Sequence, residues 1–210
     1  AAPTASLHFT DEVFADLAQK GITPNYITLN VGAGTFKPVK TASIADHTMH
    51  SETFSVARST LVAILEAKTI VAAGTTSLRT LESLHWMGVK LLTGKHTEDF
   101  QLSQWEAYEL DNSITSQESI GALLQWMREN ERETLDCRTA LLIVPGYEFK
   151  IPSAIITNFH QPQSTLLLLI AAFIGEDWKK VYQYALENNF RFLSYGDSSL
   201  LWRKQMTANG

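Results

Sequence analysis

The sequence predicts an α/β domain, a mixed sheet with helices packed on it. Short apolar runs of strand length alternate with stretches of helical period along the whole chain. Polar loops, some of them glycine-bearing, follow several of the apolar runs, as in open α/β proteins, where ligands bind at strand ends. Hydrophobic residues make up 45% and charged residues 19% of the chain, the balance of a globular protein with a sizeable core.

The elements follow in order. Thr10 precedes Asp11-Glu12-Val13-Phe14-Ala15-Asp16-Leu17, a capped amphipathic helix that stops at Gly21. Tyr26 to Val31 is a strand, followed by the loop Gly32-Ala33-Gly34-Thr35-Phe36-Lys37-Pro38. Phe54 and Val56 alternate with Thr53 and Ser55 in a second strand, and Ser59 to Lys68 is a helix. Ile70 to Ala73 is a short buried strand that runs through Gly74-Thr75-Thr76-Ser77 into a helix from Leu78 to Met87, ending at Gly88. Lys95 to Ser113 is polar, lacks a clean period and is expected to be the least ordered stretch. Thr115 and Glu118 form a capping box for a helix through Arg128. Ala140 to Val144 reads as a strand before the Pro145-Gly146 turn. Ala154 to Thr157 is a buried strand, and Thr165 to Phe173 is a buried helix with Ser164 as N-cap. Asp177 to Asn188 is a helix whose inner face carries Trp178, Val181, Tyr182 and Ala185. Arg191 to Tyr195 and Ser199 to Trp202 read as strands flanking the Gly196-Asp197 turn.

Bulk properties bound the function. A chain of 210 residues makes one large domain or two small ones. The single cysteine, Cys137, excludes an intramolecular disulfide and a cysteine-based zinc site, and suits a reducing cytoplasm. Leu166 to Ile174, the longest apolar run, is too short to span a bilayer, so no membrane association is expected. The start, Ala1-Ala2-Pro3-Thr4, lacks the basic and apolar regions of a signal peptide, and without an initiator Met it reads as a processed or excised piece. A formal net charge of −5 is not the footprint of a stand-alone nucleic-acid binder, so such a role requires local basic groups such as Lys37, Lys40, Arg58 and Lys150, or a separate basic region.

Several motifs carry candidate chemistry. Gly74-Thr75-Thr76-Ser77-Leu78-Arg79 joins a strand to a helix, where free amides, three hydroxyls and a guanidinium make an anion cradle. The alternative is an ordinary turn with Arg79 solvated or paired to Glu82. Gly32-Ala33-Gly34 lets backbone approach a ligand, but lacks the third glycine and the helix of a dinucleotide fingerprint. His47-Thr48-Met49-His50-Ser51-Glu52 offers two imidazoles and a carboxylate. A metal is not expected, because His-x-x-His on an extended segment does not place both rings on one side and no third ligand is indicated, whereas His50 or Glu52 suits an acid/base. His8 lies between apolar residues before a helix cap, a place for a satisfied core histidine or a site residue. Asn158-Phe159-His160 sits between a buried strand and a buried helix, and reads either as a tight turn or as one wall of a site. Asp197 is a turn former or a site carboxylate. Trp86, Trp105, Trp126 and Trp178 read as packing residues.

In order along the chain stand Pro3 to Thr10, Val31 to Val39, Met49-His50-Ser51-Glu52, Gly74 to Glu82, Pro145-Gly146-Tyr147-Glu148-Phe149, Ile156-Thr157-Asn158-Phe159-His160 with Ser164 to Leu167, and Tyr195-Gly196-Asp197. Through these seven motifs nearly the whole chain resembles the C-terminal part of the S-adenosylmethionine:tRNA ribosyltransferase-isomerases of queuosine biosynthesis. The resemblance implies a fold in which the larger α/β domain is interrupted by a β-barrel. Residues 1–210 would then be the C-terminal part of that catalytic domain, without the N-terminal region and the barrel. It further implies transfer of the ribosyl part of S-adenosylmethionine onto 7-aminomethyl-7-deazaguanine at the wobble position of tRNA. The ribose rearranges to give epoxyqueuosine, and adenine and methionine leave. No metal or redox cofactor is implied beyond S-adenosylmethionine as donor; the partners are that donor and tRNA, and a monomer is expected. Two departures stand out: Ser6 replaces the family's usual Gly, and the link from roughly Leu92 to Thr134 is longer than usual.

That chemistry asks for particular groups. A proton next to a sulfonium needs a base, and His50, Glu52, His160 and His8 are candidates. Asn158 or Asp197 suits a base edge or a ribose hydroxyl. The methionine carboxylate suits Thr75, Thr76 and Ser77 with Arg79. Phe36, Phe159 or Tyr147 suits stacking on a base, and the Gly34-Thr35 backbone a close approach to substrate. The alternative reading is a fragment that binds S-adenosylmethionine or a nucleoside but is inactive without its other half.

Overall fold

The computed structural model describes residues 9–30, 44, 47–95 and 99–204. It contains six helices and seven strands among the described residues, in two sheets that share one apolar core. Helix α1 (Asp11–Gln19) starts at Thr10, whose Oγ1 accepts from the Val13 amide at 3.4 Å. Phe9 and Phe14 close over that cap with ring centroids 5.8 Å apart, a hydrophobic staple.

The first sheet has the order β1 (Thr28–Asn30), β2 (Glu52–Ala57), β5 (Thr134–Thr139), β4 (Phe100–Leu102). Pairing is antiparallel from β1 to β2 and from β2 to β5, and parallel from β5 to β4. Period-2 alternation turns Phe54, Val56, Leu135 and Cys137 inward and leaves Thr53, Asp136 and Arg138 on the outer face. The second sheet has the order β3 (Val71–Ala73), β6 (Ala154–Asn158), β7 (Ser198–Trp202). In it β3 and β6 run parallel, and β7 returns antiparallel with Asn158 opposite Ser198.

Helix α3 (Thr75–Leu92) is the centre of the molecule and packs on both sheets and on α4 (Ser116–Glu129). It buries polar residues all round, and they are held by groups on other elements. Ser83 Oγ meets Thr139 Oγ1 at 2.8 Å, and Lys90 Nζ reaches the Gln101 carbonyl at 2.9 Å and Glu106 at 2.6 Å. Glu82 accepts from the amides of Lys150 and Ile151 and from the Tyr147 hydroxyl. Such pairs fix the rotation and register of a helix that apolar packing alone leaves free to turn. Helix α2 (Arg58–Glu66) packs on β2 and α4, while α5 (Thr165–Ile174) packs on β7 and on α6 (Asp177–Glu187).

The predicted α/β class is the observed one, and four element readings change. The helix expected to stop at Gly88 runs on to Leu92, and its terminator is Gly94, with φ +68° and Lys95 N bonded to the Lys90 carbonyl at 2.9 Å. Gly88 is interior because a Cβ there would stand 2.1 Å from the Ser119 carbonyl oxygen; glycine lets α3 and α4 touch backbone to backbone. The strand expected at 140–144 lies six residues earlier, at Thr134–Thr139, where burial alternates. Leu141 to Ile143 are buried but extend beyond the sheet, tied by Leu142 N to the Gln104 carbonyl at 3.1 Å. Within Lys95 to Ser113, expected to be the least ordered, lie β4 and a 3₁₀ turn (Glu106–Tyr108), anchored by buried Phe100, Leu102, Ala107 and Leu110. Arg191 to Tyr195 is not a strand: Leu193–Tyr195 forms a 3₁₀ turn, and of the two expected terminal strands β7 is the one that pairs with β6.

Candidate active site at the β3–β6 edge

Strands β3 and β6 are parallel, so their carboxyl ends share one edge and the helices that follow both start there. Gly74 makes the first connection. Its φ of +96° is open to glycine, and its amide extends the ladder by bonding the Ile156 carbonyl at 2.8 Å. Helix α3 begins at the next residue. The expected cradle of Thr75, Thr76 and Ser77 is therefore the first helical turn itself. No side chain caps it, and the three amides have no acceptor among the described residues. Helix α5 begins differently, with Ser164 Oγ accepting from Leu167 N at 3.2 Å. A narrow cleft of about 10 Å³, room for a single water, lies between the two helix starts. Thr75, Thr76, Thr165 and Leu166 line it together with Met49, Arg79 and the 141–143 segment.

Three predicted residues form one connected chain beside this cleft. Glu52 is the first residue of β2, and the strand's alternation turns it inward. A buried carboxylate needs a partner, and the Arg79 guanidinium supplies it through NH2, at charge-pair distance from Glu52 Oε2. Arg79 is paired with Glu52, not with Glu82 one helical turn away. Burial lowers the Arg79 pKa to about 10, which leaves it charged at neutral pH. Its Nε is buried and has no hydrogen-bond partner. The second Glu52 oxygen lies 3.1 Å from His50 Nε2. An ionised carboxylate only accepts, so His50 Nε2 carries the proton, and the lone pair of the neutral ring is on Nδ1. The His50 side chain is about one-third exposed. Gln104 fixes the backbone ahead of it, accepting from Met49 N at 2.8 Å and donating to the His47 carbonyl at 2.6 Å.

A second group stands at the end of β6. His160 is buried, with its amide bonded to the Tyr182 hydroxyl at 3.0 Å and Nε2 2.9 Å from Thr157 Oγ1. Burial lowers its pKa to about 4, so the ring is neutral near pH 7 and a weaker base than a solvated imidazole. Asn158 Nδ2 donates to the Asp197 carbonyl at 3.2 Å. The Asp197 carboxylate accepts from Arg191 N at 2.5 Å and Nε at 3.1 Å, and these bonds hold its pKa below the usual value. Asp197 is thus an ionised turn anchor and has no proton to give at neutral pH.

Two expected stacking residues are placed in the core. Phe159 is 4% exposed and packs edge-on against Tyr182 and Phe190. Tyr147 is buried, accepts from Trp86 Nε1 at 2.6 Å and donates to Glu82 at 2.7 Å. Burial and the adjacent Glu82 raise its pKa well above the ordinary phenol value. Both rings hold structure and present no open face in this conformation. His8, Gly34, Thr35 and Phe36 lie outside the described residues, as do Lys37 and Lys40. Arg58 and Lys150, the other two basic groups, are engaged by Glu133 at 2.7 Å and by the Asn112 carbonyl at 3.0 Å. Gln104, Thr157 and Tyr182 hold the site without being named as site residues; Thr157 carries a signal as part of the Ile156-Thr157-Asn158-Phe159-His160 motif and Tyr182 as a member of the inner face of α6, whereas Gln104 carries none. Among the described residues no three His, Cys, Asp or Glu side chains gather as metal ligands, and no helix is long and apolar enough to cross a membrane.

Comparison with known proteins matches this arrangement to one family. The profile of the family described as "Queuosine biosynthesis protein" matches residues 1–201. An S-adenosylmethionine:tRNA ribosyltransferase-isomerase of Mesorhizobium japonicum is 41% identical over 99% of this chain and 47% of its own length. The enzyme of that name from Legionella pneumophila is 39% identical over 96% of this chain and 49% of its own. A crystal structure of S-adenosylmethionine tRNA ribosyltransferase from Thermotoga maritima superposes with a TM-score of 0.57 at 29% identity, over 92% of this chain and 50% of that one. The chain therefore spans about half the length of the relatives it matches. Segment 92–134, the long link, carries β4 and α4 as parts of the shared core. On the family profile and these identities, the chain belongs to the queuosine biosynthesis protein family.

Proposed function

We propose that this chain carries the donor-side half of a ribosyl transferase-isomerase active site. The enzyme of which it forms part moves the ribosyl group of S-adenosylmethionine onto 7-aminomethyl-7-deazaguanine in tRNA, gives epoxyqueuosine and releases adenine and methionine. The observation that carries this reading is the His50–Glu52–Arg79 chain beside the joint start of α3 and α5. His50 is the general base: it is partly exposed, and Glu52, neutralised by Arg79, fixes its ring and tautomer. Its Nδ1 takes the proton from the ribosyl carbon bonded to the sulfonium. His160, held neutral by burial, serves as a hydrogen-bonding group rather than as the base. Asn158 fixes a ribose hydroxyl or a base edge from the end of β6. S-adenosylmethionine acts as substrate, and no metal or redox cofactor takes part. The full enzyme works in the cytoplasm as a monomer.

The test is release of adenine and methionine from S-adenosylmethionine with precursor tRNA, measured for the full-length enzyme and its His50→Gln variant. Gln keeps a donor to Glu52 but has no titratable lone pair, so a drop in kcat of about a hundredfold or more is expected. Unchanged turnover would remove His50 from the base role. One further reading is favoured by the span of only half the relatives' length: the 210-residue chain alone binds the donor without turning it over. Calorimetric binding of S-adenosylmethionine without adenine release supports it.

A further inference from the structure

Residues 47–51 lead into β2 but belong to neither sheet, so among the described residues no strand ladder sets their path. Gln104, 55 residues on from Met49, supplies ladder-like bonds instead. Its side-chain Oε1 accepts from Met49 N at 2.8 Å, and its Nε2 donates to the His47 carbonyl at 2.6 Å. Both partners are backbone groups of fixed polarity. The position therefore demands a donor and an acceptor on one side chain, which an ionised carboxylate or an ammonium does not offer. The backbone carbonyl of Gln104 accepts in turn from Leu142 N at 3.1 Å. Met49 and Leu142 both line the cleft between the starts of α3 and α5, so one residue joins two stretches of that lining. Gln104 is itself held. Ser103 N bonds Glu106 at 2.9 Å, and Lys90 of α3 reaches Glu106 at 2.6 Å. Tyr108 closes the same turn, donating to the Leu142 carbonyl at 3.0 Å and accepting from Val144 N at 3.2 Å. A brace thus runs from the central helix to the residue before His50.

We propose that Gln104 is a positioning residue for His50, through which the long 92–134 link governs proton transfer; this rests on the base reading given under Proposed function. Glu52 holds the His50 ring through Nε2 at 3.1 Å, a bond that leaves the ring free to swing with its own backbone. Gln104 fixes that backbone from the other side, so ring and main chain are both pinned. Proton transfer demands such geometry, and a misplacement of about 1 Å arising far from the reacting atoms can cost about a hundredfold in rate. Loss of the two Gln104 bonds frees the 47–49 backbone and leaves the Glu52–Arg79 pair and both helix starts in place. The penalty therefore falls on the proton-transfer step and not on binding of the donor.

The test compares the full-length parent enzyme with Gln104→Met, His50→Gln and the double variant. Methionine keeps the length and volume of glutamine and makes neither bond. With S-adenosylmethionine and precursor tRNA, Gln104→Met should lower kcat by about ten- to a hundredfold and leave KM for S-adenosylmethionine within about twofold. In the His50→Gln background the same change should alter kcat by less than about twofold, because a base that is absent cannot be misplaced. Equal slowing in both backgrounds overturns the proposal, since a general loosening of the fold acts on both. Parent-like kcat in Gln104→Met, with His50→Gln slow, overturns it and leaves the base reading standing. Unchanged turnover in His50→Gln overturns the base reading and the proposal with it. Circular dichroism and Tm check that Gln104→Met is folded. If it is not, Gln104→Glu, which keeps the acceptor for Met49 N and loses the donor to His47, takes its place in the same cycle with the same outcomes.

Discussion

Acid should loosen this fold through two buried histidines, and His85 gives the cleanest measurement. Its ring is fully buried in the α3–α4 contact, with Nδ1 2.8 Å from Ser119 Oγ and an edge-on contact to Trp86 at 4.7 Å. Ser119 Oγ already donates to the Ser116 carbonyl at 3.2 Å, so it accepts from His85, and Nδ1 carries the proton. The other nitrogen, Nε2, is buried without a partner, and nothing there stabilises a second proton. Burial, helped by the charge of Lys150, lowers the His85 pKa from 6.5 to about 4. The unfolded chain takes up a proton near pH 6.5 while the folded chain does not until about pH 4. Stability is therefore full above about pH 6.5 and falls as pH drops through that window. The slope is about 1.4 kcal/mol per pH unit, so His85 withdraws about 2 kcal/mol by pH 5. His160, with the same lowered pKa of about 4, withdraws a similar amount. Urea unfolding at pH 7.5 and pH 5.0, followed by far-UV circular dichroism, measures the total. Repeating it with His85→Phe isolates the one residue, since Phe keeps the ring volume and leaves Ser119 bonded to Ser116. The raised pKa of Glu82 contributes with opposite sign but is common to both proteins, so it cancels in the difference. The variant should lose roughly 2 kcal/mol less than the parent between the two pH values. Equal losses would falsify the account of His85 as a neutral core residue.

Three further outcomes follow from the packing. Gly88→Ala places a Cβ 2.1 Å from the Ser119 carbonyl oxygen and 2.8 Å from its Cα, so α3 and α4 must part; we expect about 3 kcal/mol of destabilisation and a Tm drop of roughly 6–12 °C, and a neutral result would contradict the close approach. Arg79→Met takes the guanidinium from the buried Glu52 carboxylate and should cost about 3–5 kcal/mol, whereas the double variant Glu52→Gln/Arg79→Met should recover part of that loss in a double-mutant cycle. Thr115→Ala removes an N-cap in a complete capping box and should cost about 1 kcal/mol by denaturant titration, with the m-value unchanged.

Local chemistry was legible in the sequence wherever it decided the structure by itself. Thr10, Thr115 and Ser164 announced three helix starts because a cap is a contact between residues three apart. The β2 alternation and the α6 face were equally plain. What escaped was set by contacts distant in the chain. Gly88 looks like a stop signal until Ser119 is seen against it. The apolar run at 141–143 looks like a strand, yet the ladder belongs to the half-polar Thr134–Thr139 beside it. At the site, the strand ends and the α3 start were visible, and so were Arg79 and Glu52 as candidates. Their pairing was not, because 27 residues separate them and a nearer carboxylate, Glu82, stood one helical turn from Arg79. Glu82 instead anchors the 147–151 turn, and this commitment also withdraws Tyr147 from the site.

The parallel pairing of β3 with β6 has a consequence for the order of events in folding. Ala72 pairs with Ile155, and between those strands the chain builds α3, β4, α4 and β5. Closing so long a loop is entropically unfavourable until its contents have collapsed, whereas α3 and α4 are near neighbours in sequence. The α3–α4 contact should therefore form early and the edge that carries the candidate site should zip last. Truncating Leu84 or Leu123 should then slow refolding, while Ile155→Val should mainly quicken unfolding. The chemistry of this protein would be the final part of it to exist on the way in, and the first to come apart on the way out.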